Sequence, residues 1–356
     1  MATQTHDGIP FSLLPEEKYE HCRLLELPPE LLGILTADSP QALQFKSAEG
    51  PSGGAHDTQA AICTDNSTFS VRQVNTSNSL YLTQLKDVAS HEEGAIPSTG
   101  VQVMAKNDFT LEVAPLPASP ETVKMHMKTA LPIYSSTGQI RSKDLLTKDQ
   151  LFANVPFSHL ECQSAYEALA CFQLEDPRGC FIPSGQVKLQ AWKSILEEAA
   201  THEIDLTAAL SQPQLANLSS QMNDLPPQLM QAAIRAITDV KPESQEKLIE
   251  QQSCLKFIGL SQLETSTQER GTVLLSSFMS AWQGLLPEKW RNSPKLELLN
   301  GHYTLLNDGR EITLAGSHTE KEQPSEPGKA AAAEGKSMLG AKRKWHEKFR
   351  ASKKTA

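Results

Sequence analysis

The period of the hydrophobic pattern changes partway along this chain, and that change limits the fold more than any other feature. Before residue 115, apolar residues alternate with polar ones in Phe69-Ser70-Val71, Leu80-Tyr81-Leu82, Val101-Gln102-Val103 and Phe109-Thr110-Leu111-Glu112-Val113. A period of two marks half-buried strands, because successive side chains leave opposite faces of a sheet. Asn107-Asp108, between the last two runs, reads as a turn that would make them a hairpin. Pro28-Pro29 opens a short Leu-rich helical turn beside a strand. Residues 116–140 carry Pro117, Pro120 and Pro132 with little periodicity and read as a linker.

From Lys143 onward the apolar spacing becomes helical. Helices are expected over 159–172, 186–203, 206–210, 227–237, 246–260 and 273–285, with a short one over 295–299. Trp192 and Trp282 sit on apolar helix faces and read as core. Cys180-Phe181-Ile182 reads as a short strand after the break at Asp176-Pro177. The clearest hairpin is 302–314, where Asp308-Gly309 separates two alternating runs. Helix, helix, strand and helix within about 60 residues suggest winged-helix-like units. The expectation is therefore an α+β chain. An N-terminal antiparallel β-domain (1–115) is followed by a linker and an array of winged-helix-like modules (141–204, 205–264 and 265–315). Residues 316–356, rich in Gly, Ala, Ser, Glu and Pro before a basic end, are expected to be a disordered linker and tail.

Charge is uneven along the 356 residues. The net value is −9, but from Lys336 to the end there are eight Lys or Arg and one acid, which leaves 25 bases against 41 acids before it. Such a body is not drawn to nucleic acid as a whole, so any DNA contact must come from local basic groups. The tail supplies Lys342, Arg343, Lys344, Lys348 and Arg350, interleaved with Trp345 and Phe349. Cations there can neutralise phosphates while the aromatic rings stack, and Lys342-Arg343-Lys344 also suits a nuclear localisation patch. The plain alternative is a solvated charged end. Arg310, in the turn of the last hairpin, could touch a phosphate or have no role beyond the turn.

Chemistry is harder to find. The sequence holds no G-x-x-x-x-G-K-[ST] loop, no G-x-G-x-x-G after a strand, no H-E-x-x-H and no G-x-S-x-G elbow. His202 and Asp205 are near neighbours, but one such pair arises by chance. The six cysteines, at 22, 63, 162, 171, 180 and 254, form no C-x-x-C pair and read as small buried hydrophobes. No run approaches the roughly 20 apolar residues that span a bilayer, and the N-terminus has no signal-peptide pattern, so an intracellular chain is expected. No catalytic, cofactor or metal residue is assigned.

Several stretches resemble the sister chromatid cohesion protein DCC family. They are Cys22-Arg23-Leu24-Leu25-Glu26-Leu27 with Pro28-Pro29-Glu30-Leu31, then Ala61-Ile62-Cys63, then the block Thr68 to Val74 with Thr76 to Leu82. Farther on, Ser277-Phe278, Trp282-Gln283 and Leu286-Pro287 are similar to a family helix, and 301–306 to the strand after it. The resemblance implies a nuclear, non-catalytic subunit of the alternative replication-factor-C clamp loader. In the family the β-domain assembles with the large and small chromosome-transmission-fidelity subunits, and exposed strand edges suit that role. The winged-helix modules dock the loader onto DNA polymerase epsilon and contact DNA without sequence preference, while PCNA is handled indirectly through ATPase subunits elsewhere. Thr76, Ser77, Asn78, Leu80 and Tyr81, in the most specific block, become candidate partner-binding residues. The basic ending departs from the family's acidic one. Two other readings remain: an accessory B-like subunit of ribonuclease H2, and a winged-helix DNA-binding regulator. The second is weakened by the segment 295–299, which is short and poor in base-reading residues.

Overall fold

The two periodicities become two kinds of structure. In the computed structural model the described residues are 11–13, 22–48, 59–88, 98–117, 119–135, 145–219, 225–239 and 247–316. Strands β1 (Phe11–Leu13), β2 (Leu24–Glu26), β3 (Gln44–Ala48), β4 (Gln59–Cys63), β5 (Thr68–Val88) and β6 (Ser98–Pro115) make one sheet. Its order is β1-β6-β5-β4-β3, with β2 also on β6. The meander β3 to β6 is antiparallel, but β1 and β2 both run parallel to β6. The sheet is thus mixed, not purely antiparallel. Helix α1 (Pro29–Leu35) and the meander lie between β2 and β6, supplying the long connection a parallel pair needs.

The hairpin expected at Asn107-Asp108 does not form. β6 runs straight through both residues, and Asn107 pairs with Leu80 of β5. Neither position is a glycine, and Asn107 is buried, with its Nδ2 donating to Cys22 Sγ at 3.2 Å. An inward amide with a partner cannot occupy a solvent turn. The irregularity falls on β5 instead, whose register jumps between Asn75 and Leu80.

The helical part repeats one unit three times. Each is helix, strand, helix, helix, strand, strand, with 3-10 turns in place of the third helix in the last unit. The first comprises α2 (Pro120–Ala130), β7 (Ile133–Tyr134), α3 (Lys148–Asn154), α4 (His159–Ala168), β8 (Phe172–Glu175) and β9 (Arg178–Pro183). The second comprises α5 (Gly185–Thr201), β10 (Ala209–Leu210), α6 (Gln212–Leu218), α7 (Pro227–Ile237), β11 (Thr238–Asp239) and β12 (Lys247–Ile249). The third comprises α8 (Gln251–Arg270), β13 (Val273–Leu274), α9 (Leu275–Gly284), 3-10 turns including Leu296–Leu299, β14 (Tyr303–Leu306) and β15 (Glu311–Leu314). All three small sheets share one strand order, β7-β9-β8, β10-β12-β11 and β13-β15-β14. They differ in that β7 runs parallel to β9, whereas β10 and β13 are antiparallel to their partners.

This repeat shifts the expected boundaries by one helix. The stretch 116–140 is not a bare linker, since α2 opens the first unit with Val123 and Met127 buried. Likewise α5 and α8 begin units rather than ending them. The expected helix over 206–210 is a turn followed by β10, and those over 246–260 and 273–285 each lose their first residues to a short strand.

Local chemistry sets many of the ends. Thr147 with Gln150 and Ser158 with Glu161 form capping boxes for α3 and α4. Prolines start α1, α2 and α7, where a missing N–H costs nothing. Asn307, Asp308 and Gly309 carry the left-handed backbone that closes β14 onto β15. Packing then joins the units. One apolar core runs from Ala170 to Ile312 and includes Trp192 and Trp282, both fully buried, as read from their helix faces. A second spans Val123 to Ile182, and the large sheet has a small one of Leu31, Ile62, Phe69 and Val113.

Candidate functional site

Two features of the large sheet concern binding: how it is anchored, and what it leaves open. The anchor is a polar cluster against the first repeat. Lys46 of β3 is buried, and its Nζ donates to the carbonyls of Phe152 and Phe157, both at 2.7 Å. Beside it, Thr68 Oγ1 accepts from Ser158 N at 2.7 Å and donates to Glu161 Oε2 at 2.5 Å. The backbone adds Leu160 N to Asp65 O at 3.0 Å. The buried ammonium has its hydrogen bonds, as burial of a charge demands.

The open side is β5. β4 pairs with it only from Thr68 to Val71, so from Arg72 onward one edge of β5 has no neighbouring strand among the described residues. The other edge stays on β6 to Val88. An unpaired edge presents a row of backbone donors and acceptors. Apolar side chains accompany it: Val74, Leu80, Tyr81 and Leu82 are exposed, and Leu85 reaches 73%. Polar pairs hold the ribbon's register. Arg72 Nη2 and Glu112 Oε2 lie 2.6 Å apart across the two strands, and Ser79 Oγ donates to Asp108 Oδ1 at 3.1 Å; beside them, Arg23 just before β2 lies 5.2 Å over the Phe109 ring of β6.

The candidate partner-binding residues therefore fall together. Thr76, Ser77 and Asn78 lie in the register jump of β5, with Leu80 and Tyr81 just beyond it. The side chains of Ser77, Asn78, Leu80 and Tyr81 are exposed. Leu82 and Leu85 extend the face of β5 that holds Leu80, and Tyr81 projects from the opposite face. Their alternation showed in the sequence, but it reads equally well as a buried face, so exposure was not foreseeable. The Lys46 anchor was also missed, because a lone lysine in a strand looks like a solvent residue.

Other candidates separate. Arg310 is exposed in the β14–β15 turn, where its carbonyl accepts from Leu275 N at 2.9 Å. Lys342, Arg343, Lys344, Trp345, Lys348, Phe349 and Arg350 lie outside the described residues. His202 and Asp205 have different partners: His202 Nε2 lies 2.8 Å from Glu198 Oε1, and Asp205 Oδ2 accepts from Lys289 at 2.7 Å. That hydrogen bond, with those from Thr207, holds the Asp205 carboxyl well below its usual range. Five cysteines are buried, and burial pushes the Cys162 thiol up to about 12. Thiols so raised stay protonated and unreactive. Among the described residues no three His, Cys, Asp or Glu side chains gather as metal ligands would.

A search of curated proteins gives no match. The family model described as sister chromatid cohesion protein Dcc1 matches residues 22–319, from just before β2 to just past β15. The match covers the exposed ribbon, its anchor and all three repeats, and the chain belongs to the sister chromatid cohesion protein Dcc1 family.

Proposed function

We propose that this chain is a non-catalytic nuclear adaptor of an alternative PCNA clamp loader that acts in sister chromatid cohesion. The observation that carries the reading is the edge of β5 that has no neighbouring strand among the described residues, with its apolar side chains, within a sequence that matches the family over residues 22–319. The cluster of Leu31, Ile62, Phe69 and Val113 lies where β4 pairs with β5, whereas Leu80, Leu82 and Leu85 farther along β5 are exposed. A partner that adds strands along β5 supplies the missing pairing and covers Leu80, Leu82 and Leu85. The large and small chromosome-transmission-fidelity subunits are the partners this reading assigns.

The reading takes the three repeats as winged-helix modules and makes them the arm that meets DNA polymerase epsilon and DNA; their helix-strand order supports it. Arg310 and the basic tail are its DNA contacts. They act non-specifically through phosphates, so binding should weaken steeply with salt.

The test is affinity purification of the tagged full chain from nuclear extract, with the co-purifying proteins identified. Leu82→Asp combined with Leu85→Asp should lose both clamp-loader subunits. Because both side chains are exposed in the free chain, its own unfolding free energy should change little, within roughly 0.5 kcal/mol. Recovery of ribonuclease H2 subunits, or no loader subunit from the unaltered chain, would overturn the reading.

A further inference from the structure

The first helices of the three repeats converge on a cleft that has no part in the surface described above. Its wider and narrower ends, about 480 and 310 Å³, share Lys128, Lys188, Glu264 and Leu314 as walls. Every first helix contributes lysine: α2 gives Lys124 and Lys128, α5 gives Lys188, and α8 gives Lys256. Two of these charges are matched, Lys124 by Glu121 at 2.9 Å and Lys188 by Glu264 at 3.4 Å. Lys128 and Lys256 form no ion pair among the described residues. His302 lines the same end, where burial and then Lys256, with smaller effects from Lys128 and Lys124, hold its pKa below the ordinary value despite Glu121. The cleft therefore carries two unmatched positive charges within a chain whose net charge is −9.

The wider end is different. Ile133, Ile182, Pro183 and Leu314 line it, and Ile133 is 66% exposed. A cationic end continuous with an apolar end selects a ligand carrying both characters. A free inorganic anion would leave the apolar part unfilled, and a DNA duplex is too broad for a cleft of this volume. The lining holds lysines and no arginine, so the site offers point charges rather than a planar fork.

We propose that this cleft is a docking site for an acidic peptide segment of a partner protein, with apolar residues flanking its carboxylates. The carboxylates sit between Lys128 and Lys256, and the apolar side chains lie against Ile133, Pro183 and Leu314. Charge complementarity identifies the occupant, and attraction of this kind also speeds encounter.

The test uses the full-length chain and three fluorescein-labelled peptides: one alternating Glu and Leu, one with each Leu changed to Ser, and one alternating Lys and Leu. Anisotropy should show saturable binding of the Glu/Leu peptide only. The double substitution Lys128→Glu with Lys256→Glu should weaken that binding at least tenfold while leaving the melting temperature in place. If charge reversal unfolds the chain, Lys128→Gln with Lys256→Gln should still weaken it at least threefold. Unlabelled duplex DNA should fail to displace the peptide. The proposal is overturned by no saturable binding up to about 1 mM, by equal affinity for the Ser peptide, by affinity unchanged in the lysine variants, or by displacement by DNA. Capture of the loader subunits through β5 is a separate readout, so either idea can fail alone.

Discussion

At the residue scale, Lys46 is the most exacting position. Its ammonium lies inside the junction between the sheet and the first repeat and satisfies two carbonyls. Lys46→Met keeps the apolar stem but leaves both carbonyls short of a donor, and should cost about 2–4 kcal/mol. Urea unfolding of the two forms measures this, and a loss under 1 kcal/mol would mean that water replaces the ammonium. His302 makes a pH prediction. Its folded pKa lies below the ordinary 6.5, chiefly through burial, so the unfolded chain takes up its proton more readily than the folded one. The stability tied to it is whole above about 6.5 and is lost as pH falls toward the lower folded value. His302→Gln should flatten that part of the melting temperature against pH curve, and an unchanged curve would show that burial there is not felt. Neither feature was legible in the sequence. A lysine in a strand and a histidine before one carry no local sign of what packs against them.

At the scale of elements, strands and helices follow different rules of visibility. α7 occupies the residues its apolar spacing marked, and the hairpin around Asp308-Gly309 forms where its turn residues require. The two-residue strands β7, β10 and β13 escaped, because two residues show no period. Missing them displaced each unit boundary by a helix. α8 was hard to read for another reason: it packs against α5, α7, α9 and β15, and so lacks a single apolar face. Its Gly259 allows α9 to come close. A Cβ there would lie 2.6 Å from Trp282 Cζ2 and 3.2 Å from Leu299 Cδ2. Gly259→Ala gains helix propensity of about 1 kcal/mol, but overpacking of about 1–3 kcal/mol opposes it, and the indole is pinned by its own hydrogen bond to Leu255 O. A lower melting temperature is expected, and a rise would show that Trp282 moves aside freely.

At the scale of the whole molecule, the second and third repeats share one core, which the first joins through Ala170, Phe172 and Phe181, so the three should not melt separately. Trp192 Nε1 donates to Leu285 O at 2.7 Å, tying the first helix of the second repeat to the end of α9 in the third. Trp192→Phe removes that bond and some volume, and should cost about 2–3 kcal/mol. Tryptophan fluorescence and far-ultraviolet circular dichroism should then report one coincident transition at a lower midpoint; two separated transitions would mean that the repeats are independent. The order of a β-rich part and a helical part, the buried Trp192 and Trp282, and the final hairpin can all be read along the chain. These depend on local period, turn chemistry and apolarity, all carried by neighbours along the chain. Contacts between distant segments set the rest: β1 and β2 run parallel to β6, β5 keeps an apolar edge open among the described residues, Lys46 is buried, and lysines from three helices meet in one cleft. Each of those depends on which distant surfaces touch, and alternation along a strand is the same whether its outer face meets water, a second subunit or the core.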